Sequence, residues 1–208
     1  MNPRILIVIP FYSEFEAVKP GLRALLGSGI EFKVQPIQGP YVHNNRNLGV
    51  NGGRSQATYQ NPLEGFTHFL FIDSDNGFTP AHVNYALKLK SKVVTLPYLT
   101  HLDNGEYQVG EMDEDFIITK RYTKYERGVK AVGFTGGGFL LVEAPVFSEI
   151  AFPWFHHSLV TIGFESFSVG EDVVFSGKLR EAGIPILCDF DHPVPHRLRK
   201  MEHYNVAF

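Results

Sequence analysis

An α/β fold, with helices on both faces of a mostly parallel central sheet (a three-layer α/β/α sandwich), is predicted by three features of the sequence. Short apolar runs rich in Ile, Val and Phe recur through the first half, at residues 4–9, 69–72 and 93–96. They are continuous rather than alternating, as strands buried on both faces are. Stretches with helix start and stop signals separate them, so strand and helix alternate and neighbouring strands run parallel.

The elements follow in order. Residues 4–9 form the first strand, ended by Pro10-Phe11-Tyr12-Ser13. A helix over residues 16–26 stops at Gly27 and Gly29. Residues 31–37 form the second strand. A polar, Gly-rich stretch, residues 39–53, then leads into a helix through Tyr59, broken by Asn61-Pro62. The strand 69–72 ends in Asp73-Ser74-Asp75. Thr79-Pro80 pairs an N-cap with Pro at the first helical position and opens a helix to Lys90. After the strand 93–96, residues 97–130 read as a loop-rich excursion. Gly136-Gly137-Gly138 opens a strand over 139–142, and Ala144-Pro145 starts a short helix. Gly170-Glu171-Asp172 opens a helix carrying Val173, Val174, Leu179 and Ala182, with Gly183 as its stop. A last strand, 184–188, precedes a polar, His-rich tail.

With 208 residues and neither linker nor repeat, one domain over 1–208 is expected. A hydrophobic fraction of 44% supports an ordinary globular core. The net charge of −3 gives no general attraction to nucleic acid or acidic membranes, although Arg197, Arg199 and Lys200 form a local basic cluster. The single cysteine, Cys188, cannot form an intrachain disulfide, which fits a reducing compartment. The run 5–9 is too short for a secretory signal core, and no run reaches the roughly 18–20 apolar residues of a membrane span. A cytoplasmic protein is the expectation.

Five constellations carry the chemistry, and each also has a plain structural explanation. Asp73 and Asp75 leave a buried strand, where ligands of α/β sheets bind. They suit a hard divalent cation, or they cap a turn. Arg46-Asn47-Leu48-Gly49 and Arg54 join arginines to glycine near a helix start, suited to anionic groups or to solvent. Gly136-Gly137-Gly138 permits close approach of another group, or forms a bulge. Glu171-Asp172 complements a helix dipole, or supplies a general base. That dipole depresses carboxylate pKa values, so a base there needs other surroundings. His192 and His196, around Pro193-Val194-Pro195, offer an imidazole ligand after the last strand, or are tail residues.

Taken in order, strand-Pro10-x-Tyr12, Arg46-Asn47-x-Gly49, strand-Asp73-x-Asp75, Gly-Gly-Gly, Glu171-Asp172 on a helix and a late His resemble the GT-A glycosyltransferases, above all the mostly inverting family 2. The resemblance runs from Ile5 to His196. It implies a metal-dependent enzyme that moves a sugar from a nucleotide-diphosphate donor, most simply a UDP-sugar, to an acceptor hydroxyl. Pro10, Phe11 and Tyr12 would contact the base, with Gln38 where the family often has an acidic residue. Arg46, Asn47, Arg54 and Ser74 would lie along the donor, and the Gly136–Gly138 region, with Gly137 and Gly138, would face the sugar or the acceptor. Asp73 and Asp75, with His196 (His192 in reserve), would hold Mn²⁺ or Mg²⁺. Asp172 would be the base, beside Glu171. The resemblance leaves the acceptor open among glycan, protein and nucleic acid; Tyr98, His101, Tyr107, Trp154, Phe155 and His156 lie in the loops expected to shape its site. The alternatives are a sugar-phosphate nucleotidyltransferase and a non-catalytic nucleotide-sugar- or glycan-binding domain. Against the first, residues 10–14 hold neither Gly nor Lys where a phosphate loop belongs.

Overall fold

The computed structural model describes residues 2–52, 64–100 and 104–197. Arg54, the expected helix through Tyr59, His101, Arg199 and Lys200 lie outside them. Among the described residues, a seven-stranded sheet has the order β2-β1-β3-β9-β4-β12-β7. Its strands are β1 (Arg4–Phe11), β2 (Glu31–Gln38), β3 (His68–Ile72), β4 (Val93–Thr95), β7 (Val129–Val132), β9 (Phe139–Glu143) and β12 (Ile186–Asp189). β2, β1 and β3 pair in parallel, as do β4 and β12, while β9 and β7 run against their neighbours. The sheet is therefore mixed but mostly parallel.

β1 explains the continuous apolar runs. Ile5, Ile7 and Ile9 enter one core layer, and Leu6 and Val8 enter the other. The first layer is covered by α1 (Lys19–Leu25) and α3 (Pro80–Lys88), through Leu25, Val83 and Ala86. The second is covered by α2 (Val42–Val50), α4 (Val146–Glu149) and α5 (Glu171–Glu181), through Val50, Phe147, Phe175 and Leu179. Burying strands on both faces requires this third layer.

Two expectations are corrected. α2 begins at Val42, inside the stretch expected to precede a helix, so Arg46 and Asn47 are helical residues. Residues 97–130 are not simply loop: they hold the hairpin β5 (Glu106–Met112) and β6 (Ile118–Thr123), and the start of β7. β5 also pairs with β8 (Phe134–Thr135), forming a second, three-stranded sheet. A further hairpin, β10 (Ser158–Ile162) with β11 (Glu165–Val169), precedes α5. No helix among the described residues is long and apolar enough to cross a membrane.

α2 lies close on β1 because Gly49 has no side chain. A Cβ there would overlap Val8 Cγ1, and Val8 is fully buried. Overpacking of this kind costs about 1–3 kcal/mol. Gly49→Ala is expected to lower Tm by roughly 2–12 °C in a thermal melt, given this chain length.

Candidate active site

A cleft of about 410 Å³ opens at the carboxyl ends of β1, β2 and β3, the usual ligand position in such sheets. Pro10, Phe11 and Tyr12 line it from β1, and Gly39 and Pro40 line it from the exit of β2. Asp73, Ser74 and Asp75 form its floor, with His196, Gly137, Arg46, Glu171 and Asp172 around them.

The Asp73–Asp75 turn is held from two sides. Gly138 accepts a backbone bond from Asp73, and Asp73 accepts one from Asn76. The tail then crosses the turn: Asn76 bridges His196, and Arg197 N donates to Asp75 O at 2.9 Å. This places His196 Nε2 at 3.5 Å from Asp75 Oδ2. Its Nδ1–H donates to Leu99 O at 2.6 Å, which directs Nε2 into the site. Burial pushes this imidazole down, but Asp75, Leu99 and Asp73 outweigh burial and raise it above the ordinary histidine value. His192, the reserve, lies elsewhere; it stacks on Tyr85 at 3.5 Å and pairs with Asp189 at 2.7 Å.

Glu171 and Asp172 begin α5 and have opposite electrostatics. Burial pushes Glu171 up, but Arg46 and the helix backbone outweigh it and hold the carboxyl below its usual range. Burial, reinforced by the neighbouring Glu171 charge, lifts Asp172 to about 6. Its Oδ1 accepts from Val173 N at 2.8 Å. Paired carboxyl groups whose pKa values are driven apart divide naturally into a fixed charge and a proton acceptor. The depression expected at this helix start is seen at Glu171, where Arg46 contributes the largest part of it, and is reversed at Asp172.

Arg46 is 2% exposed and joins the two regions. Nη2 donates to Asp73 Oδ1 and Nη1 to Glu171 Oε1, each at 2.7 Å. The three glycines receive buried groups rather than forming a bulge. Cβ atoms would meet the Tyr98 hydroxyl at Gly136, the Arg46 guanidinium at Gly137, and the Asn76 amide and Tyr98 ring at Gly138. Gly138 N donates to the Tyr98 hydroxyl at 3.1 Å.

Three residues expected along the donor are engaged otherwise. Asn47 is buried, and its amide bonds both backbone groups of Phe155, at 2.6 and 3.1 Å. Gln38 donates to Tyr12 O at 3.2 Å, and Gly138 packs against the Asn76 amide and the Tyr98 ring. Tyr107, Trp154 and Phe155, considered for the acceptor, are core residues. Conversely, Val42, Thr100 and Gln108 line the cleft without having been singled out. Gln108 comes from β5, a strand the sequence had not revealed; no local pattern marks it.

No protein-family model matches the chain, and no curated protein does at a significant level. Its architecture is that of the GT-A glycosyltransferases, and solved structures share it. GalNAc-T7, solved with UDP, GalNAc and Mn²⁺, is similar at a TM-score of 0.58 and 12% identity, over 96% of this chain and 45% of that one. This chain thus spans under half of that protein. A Drosophila β1,4-galactosyltransferase 7 variant, solved with manganese, UDP-Gal and xylobiose, is similar at 0.53 and 12% identity, over 98% of this chain and 74% of that one. Protein A197 from STIV is similar at 0.54 and 16% identity, over 97% of this chain and 99% of that one. At these identities the likeness defines the fold.

Proposed function

We propose that the protein is a metal-dependent glycosyltransferase that moves a sugar from a nucleotide-diphosphate donor, most simply a UDP-sugar, to an acceptor hydroxyl with inversion. The observation that carries this reading is one cleft lined by the facing pair Asp75 and His196 and by Asp172, lifted to about 6. The two solved glycosyltransferases of this fold hold UDP-type ligands and manganese, which supports the same chemistry here.

The donor set fits a hard divalent cation in part. Among the described residues no three His, Cys, Asp or Glu side chains converge as a ready-made site. Asp75 and His196 face each other, whereas Asp73 is drawn to Arg46. Mg²⁺-type sites commonly take one or two carboxylates and complete their shell with water and substrate phosphates. The fully buried Asn76 amide, without a hydrogen-bond partner on either atom, also marks this corner as built for more polar company. Asp75 and His196 would hold Mn²⁺ or Mg²⁺, which when bound neutralises charge on the departing diphosphate.

The chain's own residues do the rest. Phe11 and Tyr12 offer faces for the base at the cleft mouth. Asp172 takes the acceptor proton as the hydroxyl oxygen bonds to the anomeric carbon and the carbon–diphosphate bond breaks. Tyr98 stays neutral: burial, with Asp73 and Asp172 nearby, holds its phenol well above the ordinary value.

Thermal shift with UDP-, GDP- and CDP-sugars, with and without Mn²⁺, tests the reading. Stabilisation that requires both nucleotide and metal is expected. A chain indifferent to every donor in Mn²⁺ is not such a transferase.

A further inference from the structure

We propose that Arg46-Asn47 is the positioning element of the cleft: it fixes the start of α5 against the β3 turn and locks the loop before β10, and Arg46 is not a donor contact. The catalytic part of this inference rests on the transferase reading.

Neighbouring residues of a helix leave it about 100° apart, so one dipeptide reaches two directions. Arg46 reaches Asp73 at the end of β3 and Glu171 at the start of α5, each at 2.7 Å. Asn47 reaches Phe155, donating to its carbonyl and accepting from its N–H. Three segments distant in sequence are thereby tied to one turn of α2. The Phe155 ring returns the contact, with its centroid 5.8 Å from Arg46 Cζ.

The guanidinium is enclosed rather than presented. It is 2% exposed, Gly137 packs directly on it, and its Nε is buried without a partner. A donor-binding arginine would turn its fork to the ligand; this fork is spent on two carboxylates. A lysine could not replace it, because an ammonium is a point charge and the planar fork spans two acceptors. Asp172 is the residue after Glu171, so the Arg46–Glu171 bond sets where the base stands relative to Asp75.

The test uses Arg46→Lys and Gly137→Ala, which keep the buried positive charge, together with Glu171→Gln. In the ligand-free protein, Arg46→Lys combined with Glu171→Gln is expected to move the urea midpoint no further than the larger single change does. Full additivity would overturn the bracket. In turnover, Arg46→Lys and Gly137→Ala are each expected to lower kcat about 10²-fold, the scale of a 1 Å misplacement, with donor KM unchanged. A raised donor KM with kcat retained would make Arg46 a donor contact and overturn the proposal. If the wild-type chain answers to no donor, the transferase reading fails, and the ligand-free cycle alone decides the bracket.

Discussion

Asp172→Asn is expected to lower sugar transfer by about 10²–10⁴-fold while leaving metal-dependent donor binding intact. An amide preserves the size of the side chain and its Oδ1 acceptor for Val173 N, but cannot take a proton. The pH dependence gives a second check. The acid must be ionised to act, and burial together with Glu171 lifts its pKa to about 6. Wild-type kcat/KM should therefore rise with pH through about 6 and then level off. The stability linkage has a definite sign. A carboxyl raised in the folded state favours folding below its unfolded value, and that contribution is lost as pH rises through about 6. Asp172→Asn should therefore be at least as stable as wild type at pH 8, separating a lost base from a lost fold. Undiminished transfer by this variant, from steady-state assays on a responsive donor, would remove Asp172 from the mechanism.

The parts that sequence reading reached and missed differ in where their information lies. β1 and β3 were legible because strands buried on both faces are continuous apolar runs, and β3 runs directly into Asp73-Ser74-Asp75, which mark the ligand side. α2 was misplaced because three Asn and a Gly in nine residues are weak helix formers. The helix stands instead on a tertiary contact, Gly49 on Val8, and on a local bond from Asn45 Nδ2 to Gly39 O in the segment before it. The β5–β6 hairpin was hidden because β6 carries Lys120 and Arg121, the sort of polar content that keeps exposed strands from pairing further. Asp73, Asp75, Asp172 and His196 were legible as a set because they sit at element boundaries, which leave local marks. The part played by Arg46 was not. Its partner Glu171 lies 125 residues away, and only the folded chain shows that one cation serves two carboxylates.

The Gly-Gly-Gly run shows the same division. Its cost signalled that space was needed, and the fold supplies the occupants: Tyr98, Arg46 and Asn76. These groups occupy the space that side chains at positions 136–138 would take. The proposed division of labour follows, with Asp75 and His196 managing the leaving diphosphate, Asp172 the proton, and Glu171 the guanidinium that separates them.

Removal of the metal end is expected to have an effect of similar size. Chelation with EDTA should abolish both the donor-dependent thermal shift and transfer, and Asp75→Asn should reproduce that state even in excess Mn²⁺. Several kcal/mol of leaving-group stabilisation is at stake, on the order of 10³-fold in kcat/KM. His196→Ala should weaken Mn²⁺ binding less than Asp75→Asn does, because a carboxylate remains. Asp73→Asn should behave differently from Asp75→Asn, since Asp73 is the Arg46 partner, and its loss should fall mainly on kcat. The pH sign is again fixed. Burial lowers His196, but Asp75 outweighs it and raises the imidazole, so protons compete with the cation at this nitrogen. Mn²⁺ affinity measured calorimetrically should fall as pH drops from 8 to 6, and His196→Ala should flatten that slope. Donor binding that survives both EDTA and Asp75→Asn would assign the diphosphate to other groups and leave Asp172 as the only part of the mechanism still standing.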